Sequence, residues 1–94
     1  MAGRNVKVNI QAVEAGIRCC ETAIEELNTA AQTLSTQYGS AVQTGWKDDK
    51  SRRTGEIVSD CCKALRTPIR KLESHKASLE KLRVQILEYE NTQI

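Results

Sequence analysis

The chain has 94 residues, enough for one small domain and too few for a large buried core. Charged residues make up 28% with both signs interspersed, the net charge is +2 and hydrophobic residues make up 39%, which excludes a disordered charged tail and fits a helical or coiled-coil protein. No window approaches the roughly 18 apolar residues of a membrane span, and Met1 to Lys7 lacks the apolar run of a secretory signal, so neither membrane insertion nor a cleaved N-terminal signal is expected.

From Ile10 to Ala41 the positions Ile10, Val13, Ile17, Cys20, Ile24, Leu27, Ala31, Leu34, Tyr38 and Ala41 repeat at alternating spacings of three and four, and none is charged. That period belongs to a helix packed along another helix at a shallow angle, since the apolar residues of a strand would alternate. One flank carries the small residues Gly16, Ala23 and Ala30, and the other carries Glu14 and Glu21. The small flank lets another helix approach closely, so the first helix is expected to touch its own hairpin partner and a further one.

The pattern stops at Thr44-Gly45-Trp46-Lys47-Asp48-Asp49. Gly45 is the better candidate stop, ahead of Gly39, because a glycine just past the last turn adopts the left-handed conformation that ends a helix; Asp48 or Asp49 then caps the next.

The second helix continues the seam through Val58, Cys61, Leu65, Pro68, Leu72, His75, Leu79, Leu82, Ile86 and Tyr89. Pro68 lacks an N–H and its ring crowds the Ala64 carbonyl, which predicts a kink near Thr67 within one long helix. Folding about residues 45 and 46 places His75 opposite Gly16, as ordinary packing, and Lys76 near Glu14. Ile57 and Ala64 occupy the flank of helix two that corresponds to the small flank of helix one. The basic run Lys63, Arg66 and Arg70, with Arg52 and Arg53, reads as a solvated face: Glu21, Glu25 and Glu26 lie at similar levels, and no exposed aromatics interleave, so no nucleic-acid partner is expected.

The expected architecture is all-α. Residues 1–94 form a single antiparallel two-helix hairpin, with helix one over about 6–44, a turn at 45–48 containing Trp46, and helix two over about 49–90 with the kink near 68. Burial along one seam is of the same order as the entropy of ordering the chain. Pairing of two hairpins into a four-helix bundle, burying Gly16, Ala23, Ala30, Ile57 and Ala64, is therefore expected.

Cys19-Cys20 and Cys61-Cys62 read as reduced thiols, with Cys20 and Cys61 facing the seam. Their spacing differs from that of zinc ligands, so no metal or other cofactor is expected, although a redox or metal link between chains stays open. No histidine-carboxylate or nucleophile-base arrangement and no glycine-rich phosphate loop is present, and no enzymatic activity is expected.

A chain of about a hundred residues with two long helices joined by a turn holding Gly45-Trp46, and Asp48 two positions on, resembles the WXG superfamily of small helical hairpins exported by type VII secretion systems of Gram-positive bacteria. The resemblance covers the whole chain in layout and the turn in motif. It implies a non-enzymatic protein made in the cytoplasm and secreted without a cleaved signal peptide, forming homodimers or heterodimers with a related hairpin and engaging the secretion apparatus. Here the family's Trp-x-Gly is Trp46-Lys47-Asp48, and Tyr89, at the place of its secretion-tail tyrosine, is followed four residues later by Gln93 in place of an acid. Small relatives of this kind also accompany the larger LXG toxins, which implies an alternative role as a targeting adaptor bound to a toxin's helical N-terminal region. The competing reading is a cytosolic oligomeric helical regulator, sensing redox through the cysteines or binding nucleic acid through the basic face.

Overall fold

A computed structural model describes the backbone of residues 2–92 and the side-chain surroundings of residues 7–90. Two helices, α1 (Ala2–Gln43) and α2 (Asp49–Thr92), account for nearly all of it and pack against each other along their lengths. The result is an antiparallel rod whose Cα atoms span 70 × 17 × 14 Å. Gln93, used above in reading the tail, lies outside the described residues.

α1 contains no proline, alanine is its commonest residue, and its apolar residues follow the helical period. Its seam faces α2 as the heptad requires: Val13 and Ile17 are buried, and the other seam residues are half-buried except Leu34, which is exposed. α2 runs unbroken through Pro68. The carbonyl of Ala64 loses its intrahelical donor there, and Ala64 is exposed, so water can satisfy it.

The face that α2 turns inward differs from the expected one. Val58, Leu65, Leu72, Leu79 and Ile86 do point towards α1, but the residues alternating with them are Cys62, Ile69, Lys76 and Glu90. Cys61, His75, Leu82 and Tyr89 are exposed, so these four do not belong to the hairpin seam and Cys61 does not face α1. Two rows share the residues from Val58 to Ile86, and α2 presents the more polar of the two. Lys76 Nζ lies 3.9 Å from Glu21 Oε2 and Arg83 Nε 4.0 Å from Glu14 Oε1, so from this row both cationic heads reach the acidic flank of α1.

The register is offset accordingly. Leu79, and not His75, covers Gly16, where an added Cβ would sit 3.1 Å from Leu79 Cδ1. Lys76 pairs with Glu21, one heptad from the expected Glu14. Helical side chains lean towards the N-terminus of their own helix, so across an antiparallel pair the tips that meet belong to Cα atoms displaced towards the C-terminus on both sides.

Candidate protein-interaction surface

The tip of the hairpin is closed by interlocking caps. Gly45 has φ of +108°, its N–H donates to Val42 O at 3.0 Å, and the Trp46 N–H donates to Ala41 O at 3.2 Å. These two bonds with a left-handed glycine constitute a Schellman ending for α1. Asp48 starts α2 by accepting the Ser51 N–H on Oδ1 at 2.9 Å, an N-cap contact to the third helical residue.

Ser51, only 4% exposed, ties the tip together, donating from Oγ to Trp46 O at 2.7 Å while its carbonyl accepts from Tyr38 Oη at 3.0 Å. The Tyr38 ring lies over Gly55, where a Cβ would fall 2.8 Å from Tyr38 Cζ. Trp46 is thus held by its backbone on both sides, while its side chain remains 37% exposed at the end of the rod. Tyr38 enters the sequence reading only as a seam residue and Ser51 and Gly55 do not enter it, because the contact joins residues across the turn that no local spacing pairs.

Along the rod, the repeat of about 100° per residue assigns each flank to one of two broad faces. One face carries Glu14 and Glu21 of α1 beside Lys76, Glu80 and Arg83 of α2, including both ion pairs between the helices and the 3.9 Å Lys76–Glu80 pair. The other carries Gly16, Ala23 and Ala30 beside Ile57, Ala64 and the displaced row of Cys61, His75, Leu82 and Tyr89. The five residues named above as an interface therefore share one side of the hairpin. Ile57 is 54% exposed and Ala30 and Ala64 are exposed, whereas Ala23 is half-buried and Gly16 already gives its open space to Leu79.

All four cysteines are free, with Cys19 and Cys61 exposed, and the Cys62 thiol points at Ala31 O at 3.7 Å. Among the described residues no group of three or more His, Cys, Asp or Glu side chains is placed to hold a metal, and no helix is long and apolar enough to cross a membrane.

The core is small. Among the described residues only Val13 and Ile17 count as buried hydrophobics, and no side chain is fully enclosed. The accessible surface is 7373 Å², against about 5,400 Å² for a compact monomer of 10.5 kDa. Comparison of the chain with protein-family models, with curated proteins and with solved structures finds no match.

Proposed function

We propose that the chain is a non-enzymatic helical-hairpin interaction module of the WXG type, working with a type VII secretion system. It acts as a secreted substrate or as a targeting adaptor for the helical N-terminal region of a larger LXG-type toxin. The observation that carries this reading is the pairing of a rigidly capped, tryptophan-bearing tip with a rod whose more apolar row faces outward. A hairpin folding for its own sake would bury that row. Leaving it exposed suits a chain that completes its core against another helical surface, here as half of a four-helix bundle.

Trp46, 37% exposed on a tip whose backbone is hydrogen-bonded on both sides, either plugs the end of the bundle or contacts the secretion apparatus, and in both cases little ordering entropy is lost on docking. The test is co-expression with the products of adjacent genes in a host with an active type VII system, followed by analysis of cell and culture fractions. A complex with a longer helical protein, or export that depends on the system's ATPase, supports the reading. A chain that stays in the cell, binds no helical neighbour and leaves toxin export unchanged when deleted contradicts it.

A further inference from the structure

We infer that α2 carries a rotational switch: beyond Pro68 it packs on α1 in two phases and passes from one to the other by turning about its own axis at the proline. Leu72, Leu79 and Ile86 serve both phases. Together with Ile69, Lys76 and Glu90 they form the row that faces α1; together with His75, Leu82 and Tyr89 they would form a more apolar one, and these last three are exposed. Steps of four and of three residues lead to opposite sides of the shared row, so the midlines of the two seams lie about 50° apart around the helix. A turn of that size keeps Leu72, Leu79 and Ile86 inward, carries Ile69, Lys76 and Glu90 outward and lays the apolar row on α1. The register set by Leu79 over Gly16 brings Leu82 to the level of Val13 and His75 to that of Cys20, both on the α1 seam.

The hairpin holds α2 unequally on the two sides of Pro68. Before it, Tyr38 covers Gly55 and donates to Ser51 O at 3.0 Å, and the Cys62 thiol points at Ala31 O at 3.7 Å. At Pro68 the backbone bond to the Ala64 carbonyl is missing, so the winding of the helix changes there at least cost. Beyond it, Lys76–Glu21 and Arg83–Glu14 tie the two helices in the observed phase, at 3.9 and 4.0 Å between partly exposed side chains. Contacts of that kind are weak, and breaking both leaves no buried charge behind. Gly16 also offers Leu79 no side chain to climb over.

The result is a helix with a fixed first half and a second half that has two discrete ways to pack, the condition for a switch. Its position decides whether the apolar row is covered by α1 or stands on the surface. The device belongs to the single chain and does not depend on what the exposed row meets.

The test traps the turned phase as a disulfide within one chain. With the native cysteines replaced by alanine and helicity confirmed by circular dichroism, Val13→Cys and Leu82→Cys are oxidised by copper phenanthroline in dilute solution, and the single-chain product that has lost two hydrogens is counted by mass spectrometry. Ala31→Cys with Cys62 retained is the control in the held half, since that thiol already lies against Ala31. The bridge between positions 13 and 82 is expected to form, and Pro68→Ala to slow it by about tenfold or more by restoring the missing bond. Lys76→Glu, which sets a carboxylate against Glu21 in the observed phase, is expected to speed it by about threefold or more. The control bridge should respond to neither variant. Absence of the 13–82 bridge, or a rate indifferent to Pro68→Ala, overturns the switch. Methyl NMR of the unaltered chain tests it without cysteine substitutions: line doubling or relaxation dispersion is expected at Ile69, Leu72, Leu79, Leu82 and Ile86 and not at Val58 and Leu65. Exchange spread over both halves, or found in neither, overturns it.

Discussion

Tyr38 and Gly55 interlock at the tip end of the hairpin. The phenol ring covers the glycine Cα and its hydroxyl donates to Ser51 O at 3.0 Å, joining the last turns of α1 to the first turns of α2. In an exposed helix interior, Gly→Ala is worth about 1 kcal/mol in favour of alanine. Here the new methyl would meet Tyr38 Cζ at 2.8 Å. Gly55→Ala is therefore expected to lower stability by about 1–3 kcal/mol in thermal unfolding. In a Tyr38→Ala background the same change should become neutral or stabilising, and an equal loss in both backgrounds would refute the interlock.

The two caps give a second prediction. Asp48→Ala removes the acceptor of the Ser51 N–H and should cost about 1 kcal/mol. Gly45→Ala forces a Cβ into a backbone at φ of +108° and should cost about 1–2 kcal/mol. Asp49→Ala, beside the cap and in contact only with exposed Arg52, should change chemical denaturation by less than about 0.5 kcal/mol. An Asp49 effect as large as that of Asp48 would reassign the cap.

Pro68 stands inside a continuous helix, half-buried, where it deletes one backbone hydrogen bond. Pro68→Ala is expected to raise stability by about 1–3 kcal/mol, with an increase in ellipticity at 222 nm. A loss of stability would mean that the ring's packing outweighs the missing bond.

The Lys76–Glu21 and Arg83–Glu14 contacts span 3.9 and 4.0 Å between partly exposed side chains. A double-mutant cycle on Lys76 and Glu21 should return a coupling of no more than about 1 kcal/mol, diminishing in molar salt. Contacts of this size contribute little to the fold. Lys76→Glu with Glu21→Lys should therefore leave helicity and pairing unchanged, as read by circular dichroism and light scattering.

The all-helical hairpin was legible because the ten α1 seam positions lack charge and the pattern breaks at Gly45, which lets periodicity alone fix two helices and the face α1 buries. The facing row of α2 was not. Val58, Leu65, Leu72, Leu79 and Ile86 belong equally to two heptad phases, and apolarity favours the row through Cys61, His75, Leu82 and Tyr89. The hairpin uses the other, from which Lys76 and Arg83 reach Glu21 and Glu14. The same competition leaves the more apolar row of α2 exposed. The lock of Tyr38, Ser51 and Gly55 escaped because it depends on a contact across the turn that no local spacing encodes.

The central claim is that this hairpin has an unfinished core and completes it by pairing. Multi-angle light scattering of the purified chain in reductant, over about 1–200 µM and then with its neighbouring gene products, tests it most directly. The account predicts twice the 10.5 kDa chain mass, or a defined complex with a longer helical protein. A fully helical, stable monomer across that range, indifferent to every neighbour, would contradict it.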